Sequence, residues 1–188
     1  MPIVIRKLQP HESKIYRETR LACLKNAPAY FGSTYEEEIL NPKLKFEIFI
    51  ENDSPDHFIF GAFDAEKLIG IVGFDRMERK RARHRGEIVG MYVDSNYRGL
   101  NIGGKLLRQI VEFAFTLDGI EQAQLSVIAS NQSAIKLYEK VGFRTFGVQP
   151  RYFKVGDEYV DQQFMQLFKE DYQANAKAES IKIRVDCE

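Results

Sequence analysis

The stretch that most constrains this chain runs from Gly90 to Leu107, Gly-Met-Tyr-Val-Asp-Ser-Asn-Tyr-Arg-Gly-Leu-Asn-Ile-Gly-Gly-Lys-Leu-Leu. It passes from an apolar strand through a glycine-rich turn into a helix. Glycines at such a turn let the backbone take positive φ and come close to a ligand. The free N–H groups of the helix's first turn, with the macrodipole behind them, attract an anion. Arg98 adds positive charge just before the turn. The expectation is a phosphate-binding turn, although a lone glycine turn can also be a plain strand-to-helix connection.

Spacing separates the anion-binding patterns that compete for this run. From Gly99 the letters read G-x-x-x-x-G-K and then Leu106. A P-loop needs a Ser or Thr hydroxyl there for magnesium, and leucine has none. A dinucleotide fingerprint read from Gly99 needs glycine where Asn101 stands, and it opens a βαβ unit early in a domain rather than after a hairpin. The third pattern is Arg/Gln-x-x-Gly-x-Gly/Ala after a strand ending in Val, which Arg98, Ile102, Gly103 and the trailing Leu106-Leu107 fit. Asn101 departs from it by standing at the usual central glycine, yet Asn tolerates left-handed backbone better than other non-glycine residues.

The chain order supplies context. Ile3 and Ile5 alternate with polar residues as a first strand before Pro10. A helix is predicted over Glu12 to Lys25 with Ile15, Thr19, Leu21, Ala22 and Leu24 on its apolar side. Ser33 followed by Glu36 has the capping-box spacing, with Glu36, Glu37 and Glu38 in the first turns. Phe58 to Phe63 and Leu68 to Phe74 read as a hairpin, and Gly86 to Val93 as the strand feeding the glycine turn. The following helix carries Ile102, Leu106, Ile110, Phe113, Ala114 and Leu117 at helical spacing, ended by Asp118-Gly119. Gln124 to Ala129 is a strand. Ser130-Asn131 caps a helix over Gln132 to Val141, closed by Gly142, and Phe146 to Phe153 and Tyr159 to Phe168 form a last antiparallel pair.

That last helix carries a second signal. Asn131, Ala134 and Tyr138 share one helical face, in a run reading Asn-x-x-Ala-x-x-x-Tyr-x-x-x-Gly-Phe to Phe143. Together the two motifs resemble the coenzyme A loop and the second coenzyme A motif of the GCN5-related N-acetyltransferases, the GNAT superfamily, in the order that family has them. The resemblance covers residues 1–168 at the level of architecture. It implies an α/β (α+β) fold: a central mixed, mostly antiparallel twisted sheet of about seven strands flanked by helices. It implies acetyl-coenzyme A as cofactor and acetyl transfer to a primary amine of a small molecule or peptide, by direct attack on the thioester. A non-catalytic acyl-coenzyme A binding or sensing module is the alternative.

Site residues follow from the same resemblance. Tyr138 would protonate the departing sulfur, or else be a packed tyrosine. Glu87 stands where family members often carry a glutamate that deprotonates the amine; it could also bind the ammonium or be an exposed strand residue. The backbone of Met91, or a neighbour such as Tyr92, would polarise the thioester carbonyl, and that of Val93 would pair the pantetheine arm. Arg98, Gly99, Asn101, Ile102, Gly103 and Gly104 would cradle the pyrophosphate, with Asn131 hydrogen-bonding the pantetheine and Ala134 on the same face. On the acceptor side, aromatics such as Phe31, Tyr35, Tyr152 and Tyr159 could receive an amine through cation–π contacts, or simply fill the core.

Composition narrows the rest. The 188 residues suit one domain. Their 27 basic and 27 acidic side chains cancel, which argues against a nucleic-acid or membrane partner. The basic run Arg79 to Arg85 reads best as a solvated loop, since no aromatics interleave it. Cys23 and Cys187 make neither a disulfide framework nor a thiolate metal site, and His11, His57 and His84 lack ligand spacing. No signal peptide is read at Met1 to Arg6, and no stretch approaches the roughly 20 apolar residues of a membrane span, so a reducing, cytoplasmic setting is expected. Residues 169–188 are a polar tail whose alternating Ile181 to Val185 suggests an extra edge strand or an oligomer contact, a homodimer being common in the family.

Overall fold

A computed structural model describes residues 2–175. Among the described residues seven strands form one sheet: β1 (Val4–Lys7), β2 (His57–Asp64), β3 (Lys67–Arg76), β4 (Arg85–Val93), β5 (Gln122–Ile128), β6 (Arg144–Val155) and β7 (Glu158–Phe168). Their spatial order is β1-β2-β3-β4-β5-β7-β6. Every pairing is antiparallel except β4 with β5. The expected mixed sheet and its closing hairpin at one edge are therefore both present.

The helices among the described residues include α1 (Ser13–Asn26), α2 (Tyr35–Ile39), which packs on α1, α3 (Lys45–Glu51), α4 (Ile102–Thr116) and α5 (Gln132–Val141). β2 and β3 are buried almost end to end because helices pack on both of their faces. Phe58, Phe60, Ile69, Val72, Phe74 and Ile88 meet α4 and α5 on one face. Ile59, Phe63, Leu68 and Ile71 meet Tyr16 of α1 and Phe46 and Ile50 of α3 on the other. Helix α4 shows which effect decides. Gly103 and Gly104 in its first turn each cost about 1 kcal/mol against alanine. Leu106, Leu107, Ile110 and Val111 are wholly buried, and each contributes about 2 kcal/mol. Packing, not propensity, makes this helix, so its first turn is free to carry residues chosen for another purpose.

Local expectations shift at α1 and at α2. The inner face of α1 is Tyr16, Arg20, Cys23 and Leu24, with Ala22 exposed and Leu21 only half-buried. The cap of α2 is Thr34, whose hydroxyl accepts the N–H of Glu37 at 3.2 Å while Glu37 receives the N–H of Thr34 at 3.0 Å. Ser33 and Glu36 have the same spacing one residue earlier, and the later pair forms the box. Helix α3 had no clear signal in the sequence. Arg79 to His84 form an exposed turn, with Arg83 tied to Asp56 at 2.6 Å, whereas Arg85, grouped with them from the sequence, opens β4 and is half-buried. Residues 169–175 are helical and lie against α4, where the Tyr172 hydroxyl donates to Glu112 at 3.0 Å. The alternating segment at 181–185 falls outside the described residues. Among the described residues no helix is long and apolar enough to cross a membrane.

Candidate active site

The site begins with a parallel ladder that stops early. β4 and β5 pair only at Arg85↔Gln122, Gly86↔Ala123 and Glu87↔Gln124. Beyond these rungs β5 continues to Ile128 on β7, and β4 continues to Val93 on β3. A wedge therefore opens between them, and the edge of β4 from Ile88 to Val93 that faces β5 has no ladder partner among the described residues. Its N–H and C=O groups are free to pair with something extended.

A bulge inside β4 aims the side chains at the wedge. Gly73 pairs with Val89 but Ile71 with Tyr92, so β4 carries one extra residue, at Gly90 with φ +59°. A bulge shifts the alternation of faces. Ile88, Met91 and Val93 consequently pack toward α4 and α5, whereas Val89 and Tyr92 pack toward α1 and α3. Tyr92, grouped with Met91 and Val93 from the sequence, thus offers the wedge only its backbone.

At the mouth of the wedge stands the start of α4. Gly99 has φ +81° and Asn101 φ +53°, so Asn101 takes the left-handed conformation on which the motif reading depended. The Asn101 side chain makes no cap bond, and the helix's first backbone bond runs from Lys105 N–H to the Asn101 carbonyl at 3.2 Å. The N–H groups of Ile102, Gly103 and Gly104 have no acceptor among the described residues. Arg98 is exposed beside them without an ion-pair partner among the described residues. This is an uncapped helix N-terminus of fifteen residues flanked by a cation, a geometry suited to phosphate.

The second motif reaches the same place. A Cβ on Gly103 would lie 3.1 Å from Met91 Cε and 3.4 Å from Leu137 Cδ2, so β4, α4 and α5 converge there. Asn131 caps α5 with its Oδ1, which accepts from Ala134 N–H at 3.2 Å and Ser133 Oγ at 3.0 Å. Its amide nitrogen is left for another partner. Tyr138 is 8% exposed and packs edge-on to Phe143. Its hydroxyl has no hydrogen-bond partner among the described residues, and it is not among the atoms sealed from solvent. Burial pushes the phenol up to about 12, which keeps it protonated at neutral pH. A valine at Gly103 should crowd Met91 and narrow the wedge, lowering acetyl-coenzyme A affinity about tenfold, or roughly 1.4 kcal/mol. Calorimetric titration checks this, and unchanged affinity would separate the loop from the ligand.

Glu87 occupies the last rung, between Asp75 on β3 and Gln124 on β5. Burial, and then the neighbouring Asp75 charge, raise its carboxyl above the usual range, while Lys45 acts the other way. Asp75 is itself held by His57 Nδ1 at 2.7 Å and by Lys45 at 2.5 Å. On the same face a cavity of about 410 Å³ lies among α1, α2, α3 and β4, with Tyr16, Arg20, Glu37, Glu38, Lys45 and Gly90 in its walls. Arg20 and Tyr16 were not singled out from sequence; their i, i+4 spacing on α1 was the available signal.

The acceptor-side aromatics are less concentrated than expected. Phe31 lies 5.2 Å from the Arg20 guanidinium, Tyr35 5.9 Å from Lys25, and Tyr159 5.0 Å from Arg151. Each of these rings already faces a cation of this chain. Tyr152 packs against Phe153 and Phe164 instead. The β6–β7 hairpin does reach the α2 side: the Phe153 ring sits so close to Gly32 that a Cβ there would be 2.7 Å from it.

Residues 19–143 match the model of the acetyltransferase (GNAT) family. The chain belongs to the GNAT acetyltransferase family. It is 34% identical over 102 residues to the N-alpha-acetyltransferase RimI of Mycobacterium tuberculosis, covering 54% of this chain and 61% of that protein. It is 29% identical over 102 residues to the L-amino acid N-acetyltransferase AaaT of Escherichia coli, covering 54% and 62%. The matched stretch thus spans about three fifths of these relatives. A GNAT acetyltransferase structure from Streptococcus pneumoniae superposes with a TM-score of 0.74 at 25% identity, over 89% of this chain and 99% of that one. The yncA protein of Salmonella typhimurium, solved with its cofactor acetyl-coenzyme A, has the same fold at 17% identity, with a TM-score of 0.73 over 89% and 94%.

Proposed function

We propose that this chain is an acetyl-coenzyme A dependent N-acetyltransferase acting on a primary amine. The observation that carries the reading is the wedge between β4 and β5 with the uncapped start of α4 at its mouth. When bound, acetyl-coenzyme A supplies an activated acetyl thioester. The N–H groups of Ile102, Gly103 and Gly104, with Arg98, bind its pyrophosphate through charge-assisted hydrogen bonds. The open edge of β4 near Val93, with the Asn131 amide, orients the pantetheine, and the backbone N–H of Met91 beside the bulge polarises the thioester carbonyl. Glu87, directly or through water, takes a proton from the acceptor ammonium so that a neutral amine attacks. The Tyr138 hydroxyl gives a proton to the sulfur as it leaves.

The relatives' names include an L-amino acid N-acetyltransferase and a catalytic subunit of an N-terminal acetyltransferase complex, so the acceptor is an amine on a small molecule or a peptide. Balanced charge and a cysteine-poor sequence with Cys23 buried favour a cytoplasmic setting. The test is coenzyme A release with a thiol-reactive dye across amino acids, polyamines, aminoglycosides and peptides with free N-termini. Turnover upholds the reading. Silence across the panel, with acetyl-coenzyme A binding intact, would replace it with an acyl-coenzyme A binding module.

Glu87 makes a separate prediction. A base must be ionised, and its raised carboxyl places the acidic limb of kcat/KM above the ordinary carboxylate range. In Glu87→Gln that limb should vanish, with kcat/KM down about 100-fold. A pH–rate profile of both proteins measures it, and a limb that persists in the variant assigns the base elsewhere.

A further inference from the structure

The cavity beside the Gly90 bulge is lined by charged groups whose partners can be traced one by one. The Glu37 carboxylate closes the capping box on Thr34. Glu38 accepts from Arg20 Nε at 3.0 Å and from Arg20 Nη2 at 2.7 Å. The Lys45 ammonium is held by Asp75. Glu38 is therefore taken up by Arg20 and Lys45 by Asp75, while Glu37 spends one carboxylate oxygen on the Thr34 N–H.

Two donors one turn apart on α1 stand in contrast. The Tyr16 hydroxyl has no hydrogen-bond partner among the described residues. Arg20 Nη1 has none either, and it is sealed from solvent. The guanidinium is fixed by Glu38 and by the Phe31 ring at 5.2 Å, and the buried Cys23 thiol beside it is only a weak acceptor. Nη1 points at the bulge: it is the nearest heavy atom to where a Cβ on Gly90 would stand, at 3.7 Å. A buried guanidinium N–H without an acceptor carries a desolvation cost that an incoming oxygen removes. A carboxylate is the charge-assisted partner that arginine favours, and its second oxygen can accept from a tyrosine hydroxyl in the same wall.

We propose that Arg20 Nη1 and the Tyr16 hydroxyl form a carboxylate subsite, making the acceptor an amine that carries a carboxylate close by, as a free α-amino acid does. The inference rests on the transferase reading, which sets the thioester carbonyl at Met91 next to the bulge. An α-carboxylate seated against Arg20 leaves its amine, one carbon away, beside Gly90 and Met91, on the same face of β4 as Glu87. A polyamine offers no oxygen to these donors, and a peptide N-terminus offers only a neutral carbonyl.

The test compares initial rates for the twenty L-amino acids, their amides and the amines lacking the carboxyl group, in the wild-type protein, Arg20→Lys and Tyr16→Phe. Arg20→Lys keeps a cation for Glu38 but loses the second branch of the fork. Thermal unfolding confirms that each variant is folded, and Tyr16→Phe, which conserves volume, keeps the question open if Arg20→Lys does not fold. For at least one side chain the wild type should prefer the acid to its amide by about tenfold or more in kcat/KM, and both variants should bring that ratio toward one. Equal rates on acids and amides, or a preference that survives both variants, overturns the subsite, as does acetylation confined to amines or peptides. Acetyl-coenzyme A titration separates the two levels: turnover without carboxylate preference sinks only the subsite, whereas failure to bind acetyl-coenzyme A sinks the transferase reading beneath it.

Discussion

Tyr138→Phe should lower kcat about 100-fold, the lower part of what a positioned acid contributes, while leaving acetyl-coenzyme A affinity and thermal stability nearly unchanged. The combination is what the environment of this side chain dictates. Its ring is packed against Phe143 in the core under α4 and α5, and phenylalanine keeps that packing. Its hydroxyl has no partner among the described residues, so deletion breaks no hydrogen bond. Removing an unpartnered hydroxyl from a buried position is neutral or mildly stabilising, whereas removing a bonded one costs about 1 kcal/mol. A midpoint at or slightly above the wild-type value, with coenzyme A release slowed, assigns the hydroxyl to chemistry. Unimpaired release would leave Tyr138 a packing residue and hand the proton to water or another donor.

Gly86→Ala should be the most damaging small substitution near the site, through stability. A Cβ at this position would lie 2.0 Å from Phe74 Cζ and 2.3 Å from Phe74 Cε2. Phe74 cannot step aside, because it is wholly buried and stacked on Phe58 at 5.2 Å. Overpacking of this severity costs about 3 kcal/mol, which for a chain of this size lowers the melting midpoint by about 10 °C. Calorimetry gives the number directly, and a shift of only a degree or two would mean that β4 moves off Phe74 without cost. Gly86 also forms the middle rung between β4 and β5, so the same strain should slacken the wedge and weaken ligand binding.

How much could be read from the letters varied with how local the determining physics is. Helix α5 was legible to the residue, since the Asn131 cap and the closing Gly142 act within a turn of the backbone they punctuate. The turn into α4 was legible too, down to the left-handed Asn101, because glycine spacing and Asn tolerance are properties of single residues. The bulge was not. Gly90 reads as one more member of an apolar strand, and only pairing with β3 reveals the extra residue that turns Met91 toward α4. The inner face of α1 was misjudged because a core position held by Arg20 is invisible to a hydrophobic pattern until Glu38, eighteen residues on, supplies its counter-charge. Among the aromatics considered for an acceptor amine, Phe31, Tyr35 and Tyr159 each face a cation of this chain, Arg20, Lys25 and Arg151, a pairing across the fold that no sequence spacing shows.

The short seam between β4 and β5 also governs how the molecule bends. Strands β1 to β4 and strands β5, β7 and β6 are each stitched along most of their length, so they behave as two stiff plates. Three rungs, backed by α4 and α5, are all that continue the hydrogen-bonded lattice from one plate to the other. The join between them is confined to one line, like the spine of a book, and the pages part directly beyond Glu87. An extended molecule lying in that opening would act as binding thread, adding from Ile88 to Val93 the stitches that β5 does not supply there.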